Sequence, residues 1–332
     1  MATADAAPAK PFAGASRRGP IARLLEDERW LAACLLLPTL VLLGLFIAYP
    51  FVNGVLLSVT DTKVGVPGHF VGFANFEKIW ADSIFRIAVW NTCLYTLVTT
   101  VFKLALGLWL ALLLNRHFKG KAFVRAFILL PFIIPTVLST FAWKWMFDPT
   151  FSVINYVLLR LGWFAAEIAA LLHGQAAAEP LFGASRINWL GDPGLAMVSV
   201  IVVNIWRGVP FYAISLLAGL QTISPELHDA AAIDGARAWQ RFRHVTWPLL
   251  LPVTMVVVLF SVIQTFADFQ LVYVLTGGGP ANATQLFATY AYQIGIGTGL
   301  LSEGAAISLA IFPILLFVVI VQLFYIRRVE TL

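Results

Sequence analysis

Long apolar runs alternate with short polar stretches along most of the chain. Each of six runs approaches the roughly twenty apolar residues that a helix needs to cross a bilayer. The pattern therefore predicts an all-α polytopic membrane protein with six transmembrane helices. The predicted spans cover residues 30–52, 87–114, 126–147, 195–220, 249–275 and 305–325.

The polar stretches divide the rest of the chain. Residues 1–29 form a basic, Ala/Pro-rich tail, and residues 53–86 form a polar segment between the first two spans that we expect to be periplasmic or extracellular. Residues 87–325 hold the other five spans as one core, followed by a basic end at 326–332. The longest connection, at 148–193, has an amphipathic middle that we expect to lie on the outer membrane surface.

The composition agrees with this class of protein. Of the 332 residues, 60% are hydrophobic and 12% are charged, whereas soluble proteins have about 25% charged residues. The net charge of +5 comes from short loops beside apolar runs, so we expect a lipid bilayer and no nucleic acid as partner. The first apolar run is too long for a cleaved signal peptide. Cys34 and Cys93 lie in apolar runs, so no disulfide framework is expected.

Basic residues predict the orientation. Lys and Arg cluster in the tail, in the loops at 116–125 and 224–248, and after the last span. The loop between the fifth and sixth spans contains none. Because cytoplasmic loops carry an excess of Lys and Arg, both termini and residues 224–248 are predicted to be cytoplasmic in a multi-pass inner-membrane protein.

The cytoplasmic segment at 224–248 has an unusual composition. Ser224 can cap a helix, and Glu226 favours the positive end of that helix. Alanines 230–232 then give a face with little bulk, and Gly235 permits a sharp change of direction. Such a helix suits the groove of another protein. The residues expected to make this contact are Glu226, Asp229, Ala230, Ala231, Asp234, Gly235, Ala236 and Pro248.

The spacing resembles the EAA loop of permease subunits of binding-protein-dependent ABC importers. That loop has Glu-Ala-Ala, a glycine four residues on, and an Ile-x-Leu-Pro ending. Here Asp229, Ala230 and Ala231 precede Gly235, and residues 245–248 read Val-Thr-Trp-Pro. Aspartate replaces the usual glutamate and tryptophan the usual leucine, and neither change removes the small face or the turn.

The resemblance extends from about Phe70 to Tyr325 and is to the carbohydrate-importing branch of these permeases. A Thr-Gly-Gly-Gly-Pro run at 276–280 is, with the loop, its most specific piece. The resemblance implies the type I ABC importer permease architecture and a sugar or sugar-like solute. It also implies a second homologous permease, two ATPase subunits and an extracytoplasmic solute-binding protein as partners.

The same resemblance implies that ATP and magnesium bind the partner ATPase subunits. The chain itself is then expected to bind no cofactor or metal and to have no catalytic residue. In agreement with this, the sequence contains no Gly-x-x-x-x-Gly-Lys-Ser/Thr run for binding phosphates.

Four polar residues interrupt the fourth and fifth spans and are candidates for the solute path: Asn204, Arg207, Gln264 and Asp268. Ionisable groups inside a membrane are costly, which makes them functional candidates. Within each span the two polar residues are about one helical turn apart, so they form a stripe. The stripes could face the path. Alternatively, Arg207 and Asp268 could form a structural pair while the two amides hold helices together.

Other residues are weaker candidates. Lys103 lies deep in the second span and could face the path, whereas Lys144 lies among aromatic residues and can reach the interface. The aromatic side chains of Phe266, Phe269 and Tyr273 could stack on a sugar ring or pack against lipid and helices.

Two other functions stay open from the residues alone. A secondary transporter of a small polar solute would need ion-coupling carboxylates in its spans, and Asp268 is the clear candidate. An intramembrane enzyme would need a Ser/His pair or a His-Glu-x-x-His run in the spans, and the sequence has neither.

Overall fold

A computed structural model describes residues 28–173 and 187–330. These residues form helices and, apart from isolated bridges at Thr60–Phe70 and Lys63–Val66, no β structure. The chain divides into two compact units, Met1–Gly54 and Val55–Leu332. Most of the predicted tail and the middle of the long connection, at 174–186, lie outside the described residues.

A continuous helical stretch begins in the first unit. Helix α1 (Glu28–Leu43) passes through a π-helical turn (Gly44–Ala48) into α2 (Tyr49–Ser58). Every side chain from residue 30 to residue 53 is exposed. The helix continues past residue 52, where the sequence predicts the end of the first span, and ends at Ser58.

The second unit holds the remaining helices. Before the 148–193 connection these are α3 (Ala74–Ala81), α4 (Ser83–Asn115), α5 (Lys121–Ile133) and α6 (Thr136–Met146). The connection itself contains α7 (Val153–His173). After it come α8 (Pro193–Gln221), α9 (Pro225–Ile233), α10 (Ala238–Arg241), α11 (Trp247–Phe266), α12 (Gln270–Leu275), α13 (Phe287–Tyr292) and α14 (Leu301–Glu330). The π-helical turns Phe242–Thr246 and Gln293–Gly297 follow α10 and α13.

Among the described residues, five helical stretches are long and apolar enough to cross a membrane, or six if α5 and α6 together form one span. Helices α5 and α6 meet at 90°. The predicted third span is therefore not one straight helix. Pro135 explains the break, because a proline disfavours helical backbone at the preceding residue, and Ile134 is extended (ψ 130°).

The predicted fifth span also differs from the structure. Its helical stretch starts earlier, at Ala238, and α11 ends at Phe266. Residues 267–269 separate α11 from α12, so Asp268 lies in a break and not within a helix. Non-helical backbone at membrane depth is tolerated where protein or an aqueous cavity covers it, which makes this break a place to look for a site.

Helices α4 and α8 pack closely at the centre of the second unit. A Cβ placed on Gly107 of α4 would lie 2.3 Å from the Cβ of Tyr212 on α8. Tyr212 and Tyr95, on these two helices, are fully buried. Glycine thus lets the two backbones approach, and side chains of both helices, Lys103 of α4 and Tyr212 of α8 among them, line the cavity described below.

The loop after α12 is held against the start of α4. Asn91 Nδ2 donates hydrogen bonds to the backbone carbonyls of Ala283 (3.0 Å) and Gln285 (3.2 Å). The Tyr290 hydroxyl on α13 donates to the carboxylate of Asp82, which caps α4. Burial and this carboxylate raise the pKa of Tyr290, so the phenol remains a donor. These contacts connect the N-terminal part of α4 to the segment that follows α12.

Candidate solute path and coupling segment

A polar cavity of about 550 Å³ lies between α4, α6, α8 and the break after α11. All four predicted path residues line it, and so does Lys103. The sequence placed these residues on separate spans, and the fold brings them together. The polar residues in its wall are Lys103, Thr136, Asn204, Arg207, Tyr212, Ser261, Gln264, Thr265, Asp268 and Gln270.

Asp268 is the residue that connects the polar side chains around this cavity. Its Oδ2 atom accepts hydrogen bonds from Tyr95 Oη (2.9 Å), Asn204 Nδ2 (3.0 Å) and Arg207 Nη2 (3.0 Å). The carboxylate is 4% exposed, whereas the Arg207 side chain is 22% exposed and faces the cavity. The ion pair considered from the sequence is therefore present, and it forms part of the cavity wall. The two alternatives for these residues are compatible with each other.

Lys103 crosses the middle of the network. Its Nζ donates to Asn204 Oδ1 (2.9 Å) and Thr265 Oγ1 (2.7 Å), which links α4 to α8 and α11. Gly208 leaves room for the lysine stem, since a Cβ there would lie 2.3 Å from Lys103 Cδ. From the sequence alone, Lys103 is one of the weaker candidates. Its depth in an apolar run was the available signal, because a lysine there needs polar partners.

Two amide side chains in the cavity have free polar groups. Gln264 and Gln270 are exposed, and neither side chain makes a hydrogen bond to another described residue. Asn204, by contrast, is committed to Lys103 and Asp268. The glutamines can therefore bind a solute without breaking the network.

Aromatic rings form one wall of the cavity. Phe211 lies 5.8 Å from Phe132 and 5.2 Å from Phe260, measured between ring centroids. These three residues do not stand out in the sequence, since the chain contains 26 phenylalanines. They converge from three helices, α5, α8 and α11, that are distant in the sequence.

The aromatic residues predicted from the sequence have different positions. Phe266 is 3% exposed and packs against Phe287, which agrees with the packing alternative. Phe269 lines the cavity and stacks on Tyr273 with centroids 4.9 Å apart. Lys144 lies away from the cavity and donates to the Val274 carbonyl at 3.2 Å.

The segment at 224–248 forms the helix and the turn that its sequence predicts. Ser224 Oγ accepts a hydrogen bond from the Glu226 backbone N–H (3.3 Å), and α9 ends at Ile233. Gly235 has a φ of 77°, in the left-handed region that favours glycine. Pro248 lies in the first turn of α11.

A small hollow of about 280 Å³ forms where the chain turns. Four of the predicted contact residues line it: Ala231, Asp234, Gly235 and Ala236. The other predicted residues, Glu226, Asp229, Ala230 and Pro248, are exposed. The fold therefore gathers half of the set around one concave surface and leaves the remainder open to solvent or to a partner.

Comparison with known proteins places the chain in a family. Residues 103–331 match the binding-protein-dependent transport system inner membrane component. The trehalose/maltose transport system permease protein MalF of Thermococcus litoralis is 32% identical over 302 residues, covering 91% of this chain and 95% of that protein. The sulfoquinovosyl glycerol transport system permease protein SmoG of Agrobacterium fabrum is 34% identical over 302 residues, covering 90% and 91%.

A solved structure has the same fold. One chain of a bacterial ABC transporter involved in the import of the acidic polysaccharide alginate superposes with a TM-score of 0.75. The superposition covers 92% of this chain and 99% of that chain, at 23% sequence identity. The predicted all-α, type I importer architecture is thereby confirmed.

Proposed function

The chain belongs to the family of inner-membrane components of binding-protein-dependent transport systems, and from this premise we propose that it conducts a sugar or sugar-like solute through the cavity around Asp268. It is a multi-pass permease subunit of an ABC importer, a transport subunit and not an enzyme. Family membership thus decides against the secondary transporter and the intramembrane enzyme.

The cavity around Asp268 is the observation that carries this proposal. Sugars present hydroxyl groups at their edges and C–H groups on their faces. The free amides of Gln264 and Gln270 suit the hydroxyl groups, and the aromatic wall around Phe211 suits the faces. The relatives' names, which refer to trehalose, maltose and sulfoquinovosyl glycerol, support the same class of solute.

We place both termini and α9 in the cytoplasm, on the basis of the basic loops. A second homologous permease completes the path, and an extracytoplasmic solute-binding protein delivers the solute. Two ATPase subunits bind ATP and magnesium. In this proposal the chain is expected to supply no catalytic or metal-binding residue to the complex.

The position of α9 suggests how ATP hydrolysis reaches the cavity. Helix α9 follows α8 after three residues, and the helical stretch that begins at Ala238 continues into α11. Both α8 and α11 line the cavity. An ATPase that binds α9 and the hollow beside Gly235 therefore moves α8, whose side chains donate hydrogen bonds to Asp268, and α11, which ends just before it. The path then opens alternately to each side.

Coupling is tested by adding bulk to the hollow. We expect Ala231→Trp to leave the chain inserted and paired with its partner permease, but to abolish co-purification of the ATPase and sugar uptake. Packed interfaces tolerate added volume poorly. Ala81→Trp places the same side chain at an exposed position of α3, in the predicted outer segment, and should retain both properties. Full uptake with Ala231→Trp would refute the coupling role.

Gly235 allows a test that depends on backbone conformation. No atom lies within 4 Å of a Cβ built there, so a substitution meets strain only through its φ of 77°. Left-handed backbone is tolerated by asparagine and costs a β-branched residue more. Gly235→Asn should therefore retain more ATPase than Gly235→Val. Equal loss in the two variants would mean that the side chain, and not the turn, matters.

The class of solute is tested with the solute-binding protein that serves this importer. A bound ligand stabilises a protein against thermal unfolding. We expect at least one sugar in a panel of neutral and acidic sugars to raise its melting temperature and to be taken up by the complete importer. Protection by amino acids and by no sugar would overturn the proposed class of solute while leaving the family assignment intact.

A further inference from the structure

A second cavity, of about 800 Å³, lies beside the coupling segment. It opens between the C-terminal end of α4 and the residues from α9 to the π-helical turn before α11. We call it the α4–α10 groove. Its lining consists of Trp109, Leu112, Leu113, Arg116, His228, Ala238, Trp239, Arg241, Phe242 and Thr246. The solute path does not account for this groove, which adjoins the hollow at Gly235 and shares Arg241 with it.

The α4–α10 groove combines positive charge with apolar surface. Arg116 and Arg241 line it, and no carboxylate is among its lining residues. Neither arginine side chain has an ion pair or hydrogen bond with a residue in the described part of the chain. The tryptophans are open to the surroundings, with Trp109 59% exposed and Trp239 68% exposed. The groove is thus complementary to a ligand with an anionic head and an apolar body.

Its depth in the membrane points to the source of that ligand. Helix α4 ends at Asn115, and the apolar helical stretch that includes α11 begins at Ala238. The groove therefore lies where two spans end, at the level of the lipid headgroups. Tryptophan is enriched at this level, and basic pockets at the cytoplasmic ends of membrane helices bind anionic headgroups.

We propose that the α4–α10 groove binds one anionic phospholipid. Arg116 and Arg241 hold the phosphate, and the acyl chains lie along Trp109 and Leu113. The lipid then connects the end of α4 to α10, which continues into α11. This site requires only the membrane topology, and it stands whether or not the solute is a sugar.

The experiment uses the complete importer in nanodiscs of phosphatidylcholine with increasing phosphatidylglycerol. Native mass spectrometry counts the phosphatidylglycerol molecules that remain bound. The wild type should retain one more phosphatidylglycerol molecule than the Arg116→Gln/Arg241→Gln variant. Binding of this molecule should saturate as the phosphatidylglycerol content rises. Since the electrostatic contribution is about fivefold per basic residue, the double variant should prefer phosphatidylglycerol about twenty-five-fold less.

Lys119→Gln/Arg243→Gln is the matched control. It removes the same charge from the same two loops, at exposed positions outside the groove, and should retain the lipid. An equal loss of phosphatidylglycerol in the control would mean that the lipid is attracted to the basic protein surface in general and would overturn the proposed site. Unchanged binding in the groove variant would overturn it as well.

Two further measurements address the cases in which the ATPase occupies the groove or the double variant does not assemble. Phosphatidylglycerol bound only after the ATPase is removed would show that the ATPase occupies the groove, which contradicts the proposal. If the double variant does not assemble, wild type in dibrominated phosphatidylglycerol is compared with Trp109→Phe. In the wild type, dibrominated phosphatidylglycerol should quench tryptophan fluorescence more than dibrominated phosphatidylcholine does. This excess quenching should be smaller in Trp109→Phe, and an equal excess in the two proteins would refute the site.

Discussion

The carboxylate of Asp268 shows how one residue can join several helices. It accepts hydrogen bonds from α4 and α8, and it lies in a break where its own helix has ended. Hydrogen bonds to an ionised group are stronger than neutral ones. A buried carboxylate with three such donors holds the break in one conformation, while its partner Arg207 still reaches the cavity.

Removing the negative charge of Asp268 should reduce the amount of importer that assembles. Asp268→Asn leaves the largely buried Arg207 guanidinium without its counter-charge, which costs about 3 kcal/mol. We expect a lower yield of intact importer by size-exclusion chromatography. Arg207→Gln/Asp268→Asn, which leaves no unpaired charge, should recover the yield but transport less solute.

Lys144→Gln is the control for these variants, because Lys144 is a cation of α6 that lies away from the cavity. Its yield and uptake should equal those of the wild type. Wild-type yield and uptake with Asp268→Asn would contradict both a structural role and a path role for the pair.

At the scale of elements, the breaks in the helices decide where the site lies. The 90° bend between α5 and α6 presents Phe132 and Thr136 to the cavity, and the break after α11 presents Asp268. The unbroken pair α4 and α8 provides a fixed wall opposite. A rigid pair facing two broken helices is an arrangement that can change shape without losing its core.

The contact between α4 and α8 should tolerate little added volume. Gly107→Ala places a methyl group 2.3 Å from Tyr212 Cβ, so the helices must separate. Overpacking of this kind costs about 1–3 kcal/mol. We expect a lower melting temperature of the detergent-solubilised importer, measured by thermal-shift size-exclusion chromatography.

Gly44→Ala is the matched control, since a Cβ on this helical glycine meets no atom within 4 Å. It should melt at or near the wild-type temperature. If Gly107→Ala and Gly44→Ala have the same melting temperature, close packing at Gly107 does not limit stability.

For the whole molecule, the orientation in the membrane is the open prediction. Reporter domains that fluoresce only in the cytoplasm should be bright when fused after Gly120, Ala238 or Leu332. They should be dark after Gly68, Gly174 or Asn282. The basic loops are the physical basis for this pattern. A bright fusion at Asn282 would contradict the six-span topology.

The sequence alone determined the class of fold and the family. Apolar runs long enough to span a bilayer can form only helices in a single chain of this pattern, so periodicity and length suffice. The small-residue helix and the turn at Gly235 were also readable, because capping and left-handed backbone depend on local residue types. The same reasoning found Asn204, Arg207, Gln264 and Asp268, since polar groups stand out in apolar runs.

Tertiary structure decided what those residues do together. Lys103 became part of the site because α4 and α8 approach closely enough for it to reach Asn204 and Thr265. The breaks at Ile134 and after Phe266 were missed, although proline gave a local hint for the first. Hydropathy averages over such breaks because a broken span and a straight one have the same composition. Which side chains converge on a cavity depends on contacts between distant segments, and no local pattern records those contacts.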